Sequence, residues 1–258
     1  MTMRFLRKLM IGLTALVALP LAAQGPIPPE PAKKAVTAAV PAAPKTAHPV
    51  ALDPPHLEAW LDGYLPYALE RANIPGAVVV VVRGNQVVLE KGYGYADVAR
   101  RAPVNPETTL FRPGSVSKLF TWTAVMQQVE AGKIDLDKDV NAYLDFKIPP
   151  YQGKPVTMRN IMTHTAGFQE SVRYLISSDP KAVMTLKKQM PLALPDRVFA
   201  PGTTPAYSNY ATALAGYIVE RVSGEPFDNY IENHIFRPLN MTHSSFRLPL
   251  PPALPPHM

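Results

Sequence analysis

Ser115 and Lys118 stand three residues apart in Gly114-Ser115-Val116-Ser117-Lys118, a spacing that sets a hydroxyl and an amine on one face of a helix. A serine hydroxyl is a weak nucleophile at neutral pH and reacts only beside a base. A lysine amine that has lost its proton can be that base. The start of a helix adds backbone N–H groups and a positive dipole end, both favourable to an oxyanion. The same residues also read as a helix cap and a lysine reaching out to solvent. Spacing by itself does not separate the two readings, and Ser178 with Lys181 repeats it.

Context separates the two pairs. The first opens a helix predicted over 115–131, with Gly132 placed as a left-handed cap. Val116, Leu119, Phe120, Trp122, Ala124, Val125, Met126 and Val129 occupy nearly every face of that helix, which predicts burial all round. An ammonium in such a place needs a partner or a lowered pKa. Ser178 instead opens a segment containing Lys187 and Lys188 that reads as amphipathic and exposed, so Ser178 reads as a helix cap.

A second constellation is Tyr207-Ser208-Asn209, in a loop with Pro201, Gly202 and Pro205 that feeds a helix predicted over 211–223. Residues two apart point the same way when the chain is extended. The pair then offers a phenol able to relay a proton and an amide able to orient a carbonyl. Without other context it reads more simply as a core tyrosine beside a turn-forming asparagine.

Around these residues, the spacing of Leu57, Leu61, Tyr64, Leu65 and Ala68 predicts a helix over 56–72. A hairpin follows, with strands over 77–82 and 87–95 about a turn at 83–86. The first strand is apolar at every position, so helices are expected over both of its faces. A short helix runs into the polar turn around Thr163-His164-Thr165, and another is predicted over 226–235. The fold class is α+β, an antiparallel sheet flanked by helices with a helical subdomain.

The 258 residues are 47% hydrophobic, enough for one sizeable core. The absence of cysteine excludes a disulfide, a thiolate metal site, a thiol nucleophile and a lipid-bearing cysteine. The formal charge of +6 comes partly from the leader and from Lys33, Lys34 and Lys45; the rest of the chain has no long basic run, and nucleic-acid binding is not expected. Six scattered histidines show no metal-ligand spacing, and no cofactor is called for. Arg4, Arg7 and Lys8 precede an uncharged run over 9–23, which reads as a signal peptide over 1–23 and, if left uncut, as a membrane tether. A Pro- and Ala-rich linker over 24–55 follows, then the domain over 56–258.

Taken together, the chain resembles the serine β-lactamase and penicillin-binding-protein superfamily, and within it the class C β-lactamase-like hydrolases, which include esterases and D-amino-acid peptidases. Phe111-Arg112-Pro113-Gly114-Ser115-Val116-Ser117-Lys118 is similar to the first motif of that family, and Tyr207-Ser208-Asn209 to its second. Gly92-Tyr93-Gly94-Tyr95-Ala96-Asp97, Met162-Thr163-His164-Thr165-Ala166-Gly167-Phe168 and Ile235-Phe236-Arg237-Pro238-Leu239-Asn240-Met241 resemble flanking segments in the same order. The resemblance covers His56 to Phe246. It implies Ser115 as acylated nucleophile, with its backbone N–H as half of an oxyanion hole, Lys118 as activating partner, Tyr207 as proton relay and Asn209 as substrate-orienting amide. It implies a structural role for His164, and Arg112 and Trp122 read as support. The resemblance implies as substrate an amide, β-lactam or ester, small or derived from peptidoglycan, and the leader implies that it is met outside the cytoplasm.

The third motif of the family, Lys-Thr-Gly or His-x-Gly on a late strand, has no counterpart between Asn209 and Met258. The expectation is therefore a domain that lacks its C-terminal strands. The alternative function is a cell-envelope penicillin-binding or sensor protein with weak turnover or none, or a truncated fragment lacking the third motif.

Overall fold

A computed structural model describes residues 53–171, 173–174, 183–252 and 254. The leader, most of the linker, and Ser178 and Lys181 lie outside the described residues.

The first helix, α1 (Pro54–Ala72), starts where Asp53 accepts a hydrogen bond from the His56 N–H, and ends on Asn73 in the left-handed conformation. Pro54 and Pro55, read above as the end of the linker, form its first turn, where a missing N–H costs nothing. Next come β1 (Gly76–Arg83), β2 (Gln86–Asp97) and the two-residue β3 (Ala102–Pro103), in the order β1-β2-β3 with antiparallel pairing throughout. Leu61 and Leu69 of α1 bury with Leu89 and Tyr93 of β2, and Leu57, Leu65, Ala77, Val79 and Val81 pack around them.

One expectation fails here. Helix α1 covers a single face of the hairpin, and alternation along the strand sends Val80 and Val82 to the other face, where they are 51% and 57% exposed. An uninterrupted valine run permits two covered faces, but only a neighbouring element can supply the second cover.

The larger core belongs to the helices. A 3₁₀ turn (Gly114–Ser117) leads into α2 (Lys118–Glu130); α3 (Met158–Met162), α4 (Leu186–Leu192), α5 (Asn209–Ser223) and α6 (Phe227–Ile231) follow, and a π-helical turn (Glu232–Phe236) extends α6. Ser208 caps α5 by accepting from the Ala211 N–H at 3.1 Å, and Gly224, at φ 81°, closes it in the left-handed conformation that favours glycine. Small residues at Ala211, Ala215 and Gly216 let neighbours approach, while Leu214, Tyr217 and Ile218 fill the core. At 25 cal/mol per Å² of apolar surface, each such large side chain contributes roughly 1.5–3 kcal/mol.

Helix α2 is not buried all round as its composition predicts. Thr121, Ala124, Val125 and Gln128 face α5 and α6, whereas Val116, Leu119 and Met126 are exposed. The apolar residues are compatible with cover on every side, but α5 and α6 occupy only one. Phe120 packs edge-on against Phe236, and the Gln128 amide donates to the Tyr230 hydroxyl at 2.7 Å.

Candidate active site

Ser115 lies in the 3₁₀ turn one residue pair before α2, and the Lys118 side chain begins the α-helix itself. The Lys118 ammonium donates to Ser115 Oγ at 3.0 Å and to Asn209 Oδ1 at 2.8 Å. It also lies 4.7 Å from the centre of the Tyr207 ring. The expected buried lysine is thus half-buried and held by partners. The alternative of a serine cap and a solvent-seeking lysine does not describe this arrangement, since both side chains turn inward to the same group.

Tyr207 and Asn209 sit at the junction of loop and α5 rather than wholly in a loop. Ser208 between them is extended (φ −142°, ψ 120°), which sends its two neighbours to the same side. The Tyr207 hydroxyl and Ser115 Oγ are 2.6 Å apart, a distance at which either can donate. All four residues singled out in the sequence, Ser115, Lys118, Tyr207 and Asn209, therefore meet in one hydrogen-bonded group. Tyr207 is no core tyrosine: it is 47% exposed.

The polar turn after α3 supports this group. His164 adopts φ 55°, its Nδ1 accepts from the Ser208 N–H at 3.3 Å, and its ring lies 4.5 Å from that of Tyr207, with Trp122 edge-on behind it. Burial, then the nearby Lys118 charge, hold the His164 imidazole below its usual pKa, against the opposing charge of Glu170. The ring is thereby kept neutral, and a neutral ring has an acceptor to offer Ser208. His164 supports the tyrosine without touching the serine. Arg112, by contrast, is exposed.

The Tyr207 phenol is held below its usual pKa, chiefly by the adjoining Lys118 ammonium and next by the Ser115 hydroxyl, while Glu170 opposes them. A more acidic phenol gives up a proton more readily to a leaving group.

Glu170 carried no motif and was not singled out in the sequence. Its Oε2 accepts from the Asn209 backbone N–H at 2.9 Å and its Oε1 from Asn209 Nδ2 at 2.7 Å. The signal is tertiary, because 39 residues separate the two partners. Backbone bonds hold the segment carrying Glu170: Gln169 N–H to Asp196 C=O at 2.8 Å, Val198 N–H to Gly167 C=O at 2.8 Å and Ala206 N–H to His164 C=O at 2.7 Å. Arg197 adds a bond from Nη2 to the Ala166 carbonyl at 2.6 Å and stacks over the Phe168 ring.

A helix-bordered antiparallel sheet beside a serine, lysine, tyrosine and asparagine linked by hydrogen bonds defines the β-lactamase/transpeptidase-like class of α+β folds. The Beta-lactamase family model matches residues 61–257, and the chain belongs to that family. It is 29% identical over 189 residues to Protein flp of Staphylococcus aureus, a match covering 72% of this chain and 38% of that protein. Among solved structures, the octameric penicillin-binding protein homologue from Pyrococcus abyssi is similar at a TM-score of 0.66 and 29% identity, over 74% of this chain and 45% of the other. A class C beta lactamase is similar at 0.64 and 28%, over 78% and 54%. EstCE1, a hydrolase with promiscuous acyltransferase activity, is similar at 0.63 and 28%, over 72% and 52%. The chain spans well under two thirds of the length of each of these relatives.

Proposed function

We propose that this protein is an exported serine hydrolase that forms an acyl-enzyme on Ser115 from an amide, β-lactam or ester. The observation that supports this most is the position of Ser115 Oγ within hydrogen-bond reach of both Lys118 Nζ, at 3.0 Å, and Tyr207 Oη, at 2.6 Å. A hydroxyl so placed has on one side an amine that can act as base once it has lost its proton, and on the other a proton donor.

In the proposed reaction, neutral Lys118 takes the Ser115 proton as Oγ bonds to the substrate carbonyl carbon. Collapse of the tetrahedral intermediate breaks the bond to the leaving amine or alcohol, which takes the Tyr207 proton. Lys118 then returns its proton to the Tyr207 phenolate, and water later cleaves the Ser115 ester. Asn209 keeps Lys118 in place through Oδ1 and offers its remaining Nδ2 hydrogen to the substrate carbonyl.

The substrate is proposed to be a small molecule or a peptidoglycan-derived peptide, in keeping with the basic leader and apolar run over 9–23. Among the described residues no helix is long and apolar enough to cross a membrane. A second reading, a penicillin-binding or sensor protein that is acylated without turnover, is favoured by the likeness to a penicillin-binding protein homologue.

Incubation with a β-lactam or an activated ester, followed by mass spectrometry, tests both. An adduct on Ser115 that is absent from S115A is expected, and labelling that survives S115A refutes the assignment. Release of product with recovery of free Ser115 selects the hydrolase over the sensor.

A further inference from the structure

Both carboxylate oxygens of Glu170 are engaged by the same residue, Asn209, one through the backbone N–H at 2.9 Å and one through Nδ2 at 2.7 Å. The backbone N–H belongs to the first residue of α5, where helical amides have no intrahelical acceptor. Ser208 already serves as the cap of α5. The second bond, to the side chain, therefore does something that capping does not require.

An asparagine amide has one donor end and one acceptor end, and the two interchange by a half-turn of the group. An ionised carboxylate accepts only, so it selects the orientation that presents Nδ2 to it. Oδ1 then has to face away, and that is where Lys118 Nζ donates at 2.8 Å. We propose that Glu170 is a positioning residue, which fixes the Asn209 amide so that Lys118 keeps its acceptor and stays within reach of Ser115. The chain of contacts runs from Glu170 through Asn209 and Lys118 to Ser115 Oγ, each link between 2.7 and 3.0 Å. Without it, the amide is free to turn its NH₂ toward the ammonium, and donor then meets donor. The proposal rests on the reading of Ser115 as the acylated nucleophile.

A residue that only braces the start of α5 and one that sets the amide respond differently to substitution. In E170Q the single oxygen can accept from the Asn209 backbone N–H, which preserves the brace. Its new NH₂ then faces Asn209 Nδ2, and a half-turn of the Asn209 amide relieves the clash of donors while turning Nδ2 onto Lys118. Glutamine is thus the closest mimic of glutamate in shape and the worst in function.

The test uses the full chain and compares the parent, E170Q and E170A for acylation of Ser115 by a chromogenic ester or β-lactam, with rate and KM resolved. The expected result is a drop of about tenfold or more in the saturated acylation rate for E170Q. E170Q should be no faster than E170A, and KM should change by less than about threefold. E170Q within about threefold of the parent, or clearly faster than E170A, overturns the proposal. A second measurement needs no turnover: with isotope-labelled asparagine, NMR locates the Asn209 side-chain protons, assigned by their loss in N209D. Contact to the Glu170 methylenes in the parent, and to the Lys118 ε-methylene in E170Q, is expected; the Lys118 contact in the parent overturns the proposal. Should the parent fail to acylate, the hydrolase reading falls while the NMR result still decides the role of Glu170.

Discussion

The Ser115 hydroxyl and the Tyr207 phenol lie 2.6 Å apart across 92 residues of chain. A contact this short between two hydroxyls needs one of them to give a proton and the other to take it. The 3₁₀ turn that leads into α2 delivers the first and the loop just ahead of the Ser208 cap of α5 the second, and α2 and α5 pack directly on each other.

Y207F removes the hydroxyl proposed as the proton relay without removing the ring that rests on His164 and under Lys118. The saturated acylation rate should fall by roughly 100-fold or more, the range for one general acid or base. Thermal unfolding should be little changed. Stopped-flow acylation with a substrate whose leaving group needs protonation reads the effect; an ester with a phenolate leaving group should show a smaller loss.

K118R separates a base from a mere positive charge. Arginine keeps the charge but does not lose its proton in proteins. Because the proposed reaction needs a neutral amine, K118R should lose acylation by roughly 100-fold or more, close to K118A. Retention of most of the rate in K118R would assign the proton transfer to Tyr207 alone.

Acid should weaken both the fold and the site through His164. Its pKa in the folded chain lies below the ordinary value of 6.5, so the unfolded chain binds the proton more readily. Its stabilising contribution is complete above about pH 6.5 and is lost as the pH falls through the lower folded value. Protonation also removes the Nδ1 acceptor used by the Ser208 N–H. Melting temperatures and acylation rates taken on both sides of pH 6.5 should fall more steeply on acidification for the parent than for H164Q.

G167A should damage the site from a distance. Gly167 has φ 78°, and an added Cβ would come within 2.0 Å of the Phe199 carbonyl oxygen, part of the backbone. Strained φ and backbone contact together should cost at least about 2 kcal/mol. Since Gly167 lies between His164 and Glu170, acylation should fall in the fraction that still folds. L214A, in the fully buried face of α5, should cost about 2–5 kcal/mol by leaving a cavity, yet leave the acylation rate per folded molecule near the parent's. Chemical denaturation alongside active-site titration separates the two outcomes.

Much of the fold and part of the site were legible before any coordinates. Helical periodicity placed α1, α2 and α5 to within a few residues, and a valine run broken by Arg83-Gly84-Asn85-Gln86 marked the hairpin. These signals are local, set by side-chain period and by the turn residues that interrupt it. The Ser-x-x-Lys and Tyr-x-Asn groupings were visible for the same reason, since each lies within four residues of chain.

Whatever depended on which element lies beside which was beyond such reading. The exposure of Leu119 and of Val80 followed from the partners that α2 and β1 do or do not have, and a sequence states only what a face could bury. His164 was visible as a residue, but its hold on Ser208 and Tyr207 was not. Glu170 was not visible at all, because its partner Asn209 is 39 residues away and a carboxylate after a turn has no periodic or motif signature. The sequence by itself determined the Ser-x-x-Lys pair, the Tyr-x-Asn group and the two helices beside them. Only the tertiary structure decided that Tyr207 and Asn209 close on that pair, and that Glu170 and His164 stand behind them, because hydrogen bonds between distant segments exist only once packing has brought their donors and acceptors within 3 Å or so.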